Sequence, residues 1–600
     1  MVSSYESKNT SDGLTLKLYR GEGAALLAFD LDEERATRDF VGFTIEVRYP
    51  GSLKWGAIRN RLHFEYPPTE HRERTYKSTE APLQKFRWIH VPTETPEGNF
   101  EYRVTARYMS ENETLHNGPQ VTGKISLSPQ TIEDFVNVGF TRGFASSQAY
   151  ADRFENDKGI LPPRGTPAEK YLNHDMTPFQ KHYEWLGFEA RRLILQTLEE
   201  VEHDPGLRLD ALVYECKEPD ILQRLERLGN RLRVIIDDHD EQGDPDSCET
   251  ISANRLKQKG AQVKRMHFRR QQHNKVLLVR RADGSAAKVL AGSTNFAMRG
   301  LYIQANNALL FEDATVSEKF SELFDAYWNT SKDFRENQLS KQWWVVRDEP
   351  ESRVSLCFSP HTDSGLSLDP VADAIAQADS SVLYSVVFLN ILKGTVRNEL
   401  EALMQRSLFS YGVAQRTGGL SVTKPDGSVG LLPFAYLGET APEPFKSEWN
   451  GDTTEFSNMV HHKFVVTDFN GKRPVVFTGS SNLAAGGEKE NGDHLICIED
   501  RRIAIVYAIE ALRLFDHFHF RVKTKPGENA PQYTWQNHQL RERIHGSPLT
   551  TERGTTRNGI ASCSVSSSGS PSCFHLSIEN WGAMDGLRTD LERVIALRAP

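Results

Sequence analysis

Two short stretches decide the fold of this chain: HNKVLLV at residues 273–279 and HHKFVVTD at residues 461–468. Each joins an H-x-K motif to an apolar run of strand character. Each is then followed by a G-S-x-N motif, at residues 292–295 and 479–482. The His-to-Asn separation is 22 residues in the first copy and 21 in the second. A single H-x-K motif would carry little weight, but two copies at nearly equal spacing predict a duplicated fold.

The segments before the two motifs repeat one order of predicted elements. Helices at 188–202 and 220–229 alternate with strand-like runs at 207–215 and 232–238 before the first motif. The same alternation returns from residue 371 and leads into the second motif. Alternating helices and strands are typical of a mostly parallel sheet with crossover helices. The chain around the motifs is therefore predicted to be two related α/β halves with pseudo-twofold symmetry.

The predicted domain boundaries follow from changes in this pattern. Residues 1–128 hold strand-like segments between Pro, Gly and Asn clusters, which predicts a β-sandwich of the immunoglobulin or fibronectin type. The first α/β half is expected over 129–346 and the second over 347–524. Residues 525–600 include a serine-rich run and are expected to be a partly disordered C-terminal extension. The β-domain is interpreted as a spacer or as a docking module for a protein partner.

The two motifs together suggest one composite catalytic site. Residues two apart on a strand face the same side, so the His and Lys of each H-x-K motif should point together. A twofold axis between the halves would bring both pairs together. A neutral imidazole could then attack phosphorus while an imidazolium protonates the leaving oxygen, and lysines and amides hold the other oxygens. No metal or other cofactor is expected, because fixed cations would do that work. The candidate catalytic residues are His273, Lys275, Asn295, His461, Lys463 and Asn482, with Ser293 and Ser480 as candidate substrate-binding residues.

The doubled motif resembles the signature of the phospholipase D superfamily, a repeated H-x-K-x4-D followed by G-S-x-N, over about residues 170–522. The second copy fits in full because Asp468 lies five residues after its lysine, whereas the first copy has Arg280 there. The superfamily's aspartate is mainly structural, so this departure bears more on substrate class than on catalysis. The resemblance implies a covalent phosphohistidine intermediate, then hydrolysis or transfer to an alcohol. It also implies His273 as nucleophile and His461 as general acid, with the reverse assignment as the alternative.

The superfamily also commonly carries an acid or amide after G-S-x-N that orients a histidine. Aligning the strand ALLFED with the strand LICIED places Asn491 and Asp493 opposite Gln304 and Asn306. Asp493 is the preferred candidate and completes the predicted catalytic set, whereas Gln304 and Asn306 are weaker candidates. His462 should face the opposite side of its strand from the site and is interpreted as structural.

A basic segment leads into the first motif. It holds ten Lys or Arg residues and no Asp or Glu between Arg255 and Arg281, in a chain of net charge -9. A charge run is usually a solvated face, but here a local phosphate-binding strip is an equal alternative. The expected partner is a phosphodiester of a nucleic acid or a phospholipid. The candidate substrate contacts are Arg265, Arg269 and Arg270.

Composition limits the remaining possibilities. The six cysteines include no CxxC pair, the N-terminal stretch is polar, and no run approaches the ~18 apolar residues of a membrane span. These features predict a cytoplasmic protein without stable membrane insertion. The acidic cluster at 237–240 has the composition of a metal or acid/base group, but its place after a strand favours a polar loop.

The favoured function is metal-independent phosphodiester cleavage, with a lean towards nucleic acid. Its rate should depend on two imidazoles that titrate near ~6.5. The alternative is a non-catalytic module of the same fold that binds phosphate or nucleic acid.

Overall fold

The computed structural model describes residues 5–519, apart from gaps. The gaps are at 61–63, 65–74, 93, 128–130, 145–146, 156, 158, 164, 330–332, 390–391, 416–418, 426–427 and 434–459. The predicted C-terminal extension at 525–600 lies outside the described residues. The described chain contains two four-stranded sheets, a seven-stranded sheet, an eight-stranded sheet and a two-stranded hairpin.

The N-terminal part is a β-sandwich, in line with the strand-like pattern of its sequence. One sheet has the order β1-β2-β3-β8 and the other β10-β9-β4-β5, and all their pairs are antiparallel. Alternate residues such as Leu16 and Leu18 in one sheet and Phe43 and Ile45 in the other are buried in one shared core. The strands are β1 (Glu6–Ser11), β2 (Leu14–Gly21), β3 (Ala24–Leu31), β4 (Phe40–Arg48), β5 (Gly56–Ala57), β6 (Arg59–Asn60), β7 (Tyr76–Lys77), β8 (Arg87–His90), β9 (Asn99–Met109) and β10 (Leu115–Ser126).

The first α/β half is built on a seven-stranded sheet of order β11-β17-β16-β15-β12-β13-β14. Its strands are β11 (Val136–Phe140), β12 (Arg208–Val213), β13 (Leu232–Ile236), β14 (Gln262–Arg265), β15 (Lys275–Arg280), β16 (Ala286–Gly292) and β17 (Asn307–Phe311). Its helices are α1 (Gln148–Phe154), α2 (Ala168–Leu172), α3 (Gln180–His203), α4 (Pro219–Leu228), α5 (Cys248–Gln258), α6 (Met298–Tyr302) and α7 (Ala314–Asn329).

The local sequence explains where these helices begin and end. Helix α4 starts after Glu218, whose side chain accepts the Ile221 N–H at 2.6 Å, and Pro219 fills the first helical position. It stops at Gly229, which has φ of +54°. Helix α5 starts in the same way, with Ser247 accepting the Thr250 N–H at 3.1 Å.

The second half repeats this arrangement on an eight-stranded sheet of order β18-β19-β25-β24-β23-β20-β21-β22. Its strands are β18 (Trp344–Glu349), β19 (Ser352–Phe358), β20 (Ser381–Val386), β21 (Phe409–Ala414), β22 (Leu431–Pro433), β23 (Lys463–Thr467), β24 (Val475–Gly479) and β25 (His494–Glu499). Its helices are α8 (Gly365–Ala376), α9 (Thr395–Leu403), α10 (Ala485–Glu490) and α11 (Arg501–His519). The order β25-β24-β23-β20-β21-β22 matches β17-β16-β15-β12-β13-β14, so the predicted duplication is visible in the topology.

The prediction of mostly parallel sheets is wrong. In the first half only the β12–β13 and β13–β14 pairs are parallel, and in the second only β20–β21 and β21–β22. The motif strands β15 and β23 pair antiparallel with both of their neighbours. The reason is the length of the connections: a few residues join each motif strand to the next, which allows a hairpin but no crossover.

The β-sandwich is fixed against the second half. The guanidinium of Arg87, buried in β8, pairs with Asp516 of helix α11 at 2.7 Å. The Nε of Arg501, at the start of the same helix, donates to the carboxylate of Glu6 at 2.5 Å. The β-domain therefore packs against the second half, and helix α11 provides the contacts described.

Candidate active site

The two motif histidines lie at the junction of the two halves, just before strands β15 and β23. The backbone N–H of His273 donates to the Gly492 carbonyl of the second half at 2.8 Å. At the equivalent position of the second half, the N–H of His461 donates to the Ala305 carbonyl of the first half at 3.1 Å. Both side chains are buried, with 4% and 7% of the residue exposed. Each half therefore fixes the histidine of the other, as the pseudo-twofold arrangement predicts.

Each imidazole is also oriented by a side chain of the opposite half. The Nδ1 of His273 is 2.7 Å from Oδ1 of Asp493, and the Nδ1 of His461 is 2.8 Å from Oδ1 of Asn306. The Asn306 amide is held in place because its Nδ2 donates to the Gly300 carbonyl at 2.9 Å. Its oxygen must then accept from His461 Nδ1, which leaves the Nε2 of that ring free of the proton in the neutral form.

Of the three candidates for orienting a histidine, two therefore contact a motif imidazole, one in each half. The third, Gln304, contributes its backbone carbonyl, which accepts the Thr141 hydroxyl at 2.5 Å. Asn306 is one of the two weaker candidates predicted from the sequence. The signal that finds it is the matched position of Asn306 and Asp493, each directly before the strand that follows G-S-x-N.

Ser293 and Ser480, the predicted substrate-binding serines, form hydrogen bonds within the protein. The Ser293 hydroxyl donates to Asn306 Oδ1 at 2.9 Å and accepts the Asn307 N–H at 3.0 Å. The Ser480 hydroxyl donates to Asp493 Oδ1 at 2.6 Å and accepts the His494 N–H at 3.0 Å. Both serines are fully buried. Their hydroxyls hold the residues that orient the histidines, so they are positioning residues.

Both motif lysines are buried beside their own histidines. The Nζ of Lys463 lies 3.1 and 3.2 Å from the two ring nitrogens of His461 and donates to its carbonyl at 2.8 Å. The Nζ of Lys275 donates to the His273 carbonyl and lies 4.6 Å from the centre of the Tyr214 ring. Burial lowers the pKa of Lys275 to about 7 and lowers that of Lys463 well below its usual value. The positive charge here is therefore easily lost as pH rises.

The same environment keeps both imidazoles neutral. Burial, and then the nearby Lys275, lower the pKa of His273 to about 4, although Asp493 opposes them. Burial and the two lysines lower the pKa of His461 well below its usual value. The pKa values of both imidazoles therefore lie below the range near ~6.5 on which the predicted rate profile rests. An imidazole that serves as an acid would need an anionic ligand beside it to raise its pKa.

The asparagines of the two G-S-x-N motifs differ. The Nδ2 of Asn295 donates to the carboxylate of Glu215, which follows strand β12. No hydrogen bond of the Asn482 side chain is found among the described residues, and its Oδ1 is buried. Tyr214 packs edge-on against His273 with the ring centres 4.8 Å apart. Neither Tyr214 nor Glu215 is among the predicted site residues; comparing the ends of β12 and β20 would have drawn attention to them.

Half of the basic residues of this segment are buried or partly buried in the fold, which weakens its interpretation as a phosphate-binding strip. The guanidinium of Arg265 donates to the Gln242 and Asp237 carbonyls at 2.6 and 3.0 Å and is therefore structural, contrary to prediction. Arg270 is exposed but pairs with Glu490 at 2.9 Å. Arg269 alone of the three candidates is exposed without a described ion pair.

Arg280 and Asp468 are at equivalent positions in the two halves, and each fixes its motif strand to the neighbouring strand. The Asp468 carboxylate accepts the Asp379, Ser380 and Ser381 N–H groups at 2.7–3.2 Å and so ties β23 to the start of β20. Arg280 pairs instead with Asp210, which ties β15 to β12. Both residues are structural, as the resemblance implies for the aspartate.

The acidic cluster after β13 supports the first motif. Asp237 is buried and accepts the backbone N–H of Gln272, the residue before His273, as well as the His239 N–H at 3.1 Å. Burial raises its pKa to about 7. His462 is buried too, with its Nε2 3.0 Å from Glu510 of helix α11, so it has the structural role predicted. Across the described ranges, no group of three or more His, Cys, Asp or Glu side chains is arranged to hold a metal ion.

Among the helices that the structure describes, none has the length and apolar character needed to cross a membrane.

Comparison with known proteins agrees with the motifs. Residues 208–328 match the family model described as "Cardiolipin synthase, PLD-like domain". No curated protein matches the chain. Similar solved structures include phosphatidylserine synthase of Haemophilus influenzae, 14% identical over 54% of this chain and 84% of that one, with a TM-score of 0.39. The yeast tyrosyl-DNA phosphodiesterase is 12% identical over 51% of this chain and 85% of that one, with a TM-score of 0.29.

The phospholipase D family member Nuc of Salmonella typhimurium is 22% identical over 24% of this chain and 90% of that one, with a TM-score of 0.19. The family model spans strand β12 to helix α7 and includes the first H-x-K and G-S-x-N motifs. Residues 208–328 therefore form a phospholipase D-like domain, and the predicted resemblance to the phospholipase D superfamily is confirmed for this part of the chain, which holds the first motif.

Proposed function

We propose that this chain is a phosphodiesterase that cleaves its substrate without a metal, through His273 and His461. One observation carries the proposal: two buried imidazoles from different halves are each held at Nδ1 by a side chain of the opposite half. Fixing Nδ1 leaves the two Nε2 atoms as the reactive positions. A nucleophile and a proton donor are thereby held in one place, as displacement at phosphorus requires.

The unequal partners of the two rings support His273 as the nucleophile. When its Nε2 bonds to phosphorus, the ring becomes a cation that keeps its Nδ1 proton. The adjacent Asp493 carboxylate stabilises that charge at 2.7 Å. Asn306, the partner of His461, carries no charge and suits a ring that passes a proton on and takes one back.

The proposed reaction has two steps. In the first, the Nε2–phosphorus bond forms, the bond to the leaving oxygen breaks, and protonated His461 gives its proton to that oxygen. In the second, neutral His461 takes a proton from water as the water oxygen attacks phosphorus. The bond to His273 then breaks and its electron pair returns to Nε2. An alcohol in place of water would give transfer to a new diester.

The positive charge of the motif lysines and the Asn482 amide would hold the non-bridging oxygens. Binding of the anionic diester also supplies the negative charge that His461 lacks in the empty site, which raises its pKa towards the range of a working acid. In the proposed mechanism, substrate binding itself prepares the acid.

The covalent intermediate gives the sharpest test of this proposal. The chain is mixed with excess bis(p-nitrophenyl) phosphate in EDTA, denatured in alkali to preserve phosphohistidine, and digested for mass spectrometry. We expect a p-nitrophenyl phosphoryl adduct on the peptide that contains His273, and none in His273→Ala. Hydrolysis without an adduct, or an adduct on His461, would overturn the assigned roles. Tight phosphate binding without turnover of any diester would instead favour the non-catalytic alternative.

A further inference from the structure

The two half-sites differ at one position that strand pairing identifies. In the first half Val213 pairs with Lys275, and in the second Val386 pairs with Lys463. The two residues after each valine are therefore equivalent. They are Tyr214 and Glu215 in the first half, and Val387 and Phe388 in the second. One half-site thus carries a carboxylate where the other carries a phenyl ring.

The Glu215 carboxylate faces both the site and a half-buried lysine. Its Oε2 accepts the Asn295 amide N–H, and its Oε1 lies 2.5 Å from Lys217 Nζ. About a fifth of the Glu215 side chain is exposed, so a ligand can reach it. Burial raises its pKa, but Lys217 more than offsets this and holds the pKa below its usual value, so the carboxylate is ionised.

Glu215 determines which end of the Asn295 amide is available. With Nδ2 donated to the carboxylate, Oδ1 is the free end, since a reversed amide would set two oxygens against each other. Asn295 is 4% exposed, and its Oδ1 is buried without a hydrogen-bond partner among the described residues. A buried oxygen of this kind costs free energy unless a ligand donates to it. Among the described residues no carboxylate bonds to the Asn482 amide, so that amide can present either end.

We propose that Glu215 and Asn295 form a subsite that accepts a hydroxyl or ammonium group on the ester group that stays attached to phosphorus. This rests on the proposed function, in which the leaving oxygen faces His461 in the second half. The ester group that stays on phosphorus would then lie against the first half. The acceptors that the subsite offers are the Glu215 carboxylate and the Asn295 Oδ1, so it binds a hydrogen-bond donor. The Lys217 ammonium beside Glu215 offsets the charge of the carboxylate. The substrate class that fits is a diester of an amino- or hydroxy-alcohol.

The test uses two pairs of diesters that all release p-nitrophenolate. The 2-aminoethyl ester of p-nitrophenyl phosphate is compared with the ethyl ester, and the 2,3-dihydroxypropyl ester with the propyl ester. A hydrogen bond to a charged group should make the donor-bearing ester of at least one pair about tenfold better in kcat/KM. The pair that shows the effect distinguishes an ammonium from a hydroxyl ligand. In Glu215→Gln the preference should shrink to about twofold or less, because kcat/KM falls more for the donor-bearing ester than for its partner.

Asp238→Asn is the matched control, because Asp238 is a similarly accessible carboxylate near the motif that pairs with His267 at 2.7 Å and not with Asn295. It should keep the wild-type preference. If Glu215→Gln does not fold, Glu215→Asp replaces it, since its charge remains but its shorter arm withdraws from Asn295. An equal loss on all four esters, or an unchanged preference, overturns the subsite. If wild type cleaves none of them, the proposed function fails, and calorimetric Kd ratios for the same pairs still decide the subsite.

Discussion

Replacing Asp493 with asparagine isolates the charge beside the proposed nucleophile. The Asp493 carboxylate accepts two hydrogen bonds, and both are to Oδ1. They come from His273 Nδ1 at 2.7 Å and from the Ser480 hydroxyl at 2.6 Å. The Asp493 Oδ2 is buried without a hydrogen-bond partner among the described residues. Asparagine can therefore keep its oxygen on His273 and Ser480 and place its amino group where Oδ2 was. The contact with the imidazole then resembles that of Asn306 with His461, without the negative charge.

The size of the effect follows from what that charge stabilises. A charged hydrogen bond exceeds a neutral one by about 1–2 kcal/mol. Two full charges about 4 Å apart at an effective dielectric constant of about 20 attract by roughly 4 kcal/mol. The imidazole gains its charge only as the phosphorus bond forms, so this difference appears in the rate. We expect Asp493→Asn to slow formation of the intermediate by between about 10-fold and 1,000-fold.

The assay is single-turnover release of p-nitrophenolate by excess protein across a range of pH. Asp493 raises the pKa of His273, so Asp493→Asn should also move the acid limb below its wild-type position near 4. Asn306→Asp is the matched control, since it adds a carboxylate beside His461 and should leave the His273 limb in place. A rate for Asp493→Asn within threefold of wild type, with an unmoved acid limb, would refute the reasoning.

Three further predictions concern pH, stability and the basic segment. The kcat/KM profile should fall below about pH 4 as His273 gains a proton and above about pH 7 as Lys275 loses one; constant activity from pH 7 to 9 would contradict this. Arg280→Met leaves the buried Asp210 with one guanidinium fewer and should lower the free energy of unfolding by about 3 kcal/mol in urea titrations. A change below 1 kcal/mol would be too small for the ion pair described. Arg270→Ala should change kcat/KM by less than about twofold, and a large loss that weakens with salt would restore the phosphate-strip interpretation.

The duplication can be predicted from sequence because the chemistry imposes it locally. Each half must supply a lysine at the start of a strand, a histidine two residues before it, and a tight turn one strand later, so motif and spacing recur together. The antiparallel pairing of the motif strands was also within reach. Arg280 and Ala286 pair directly across a short turn, which no crossover helix could fit. Periodicity alone does not distinguish the two pairings.

Contacts between distant segments could not be predicted in the same way. Asp493 and His273 are 220 positions apart, and only the docking of the halves brings them together. The partners of the basic segment are backbone carbonyls and carboxylates contributed by other elements, as for Arg265 and Arg280, so a charge count overstates its free charge. The roles of Ser293 and Ser480 are hidden from sequence for a related reason. A serine hydroxyl could bind a phosphate or another side chain, and only the structure shows that these two donate to Asn306 and Asp493.

The central claim is that His273 and His461 act as one metal-independent site. It is tested most directly by hydrolysis of bis(p-nitrophenyl) phosphate in excess EDTA, comparing wild type with His273→Ala, His461→Ala and His462→Ala. The account predicts turnover by wild type and losses of at least about 100-fold in the first two variants. His462→Ala, if it folds, should lose far less, since that ring contacts Glu510 rather than the site. Wild-type activity that needs an added metal, or equal activity in all four proteins, would contradict it.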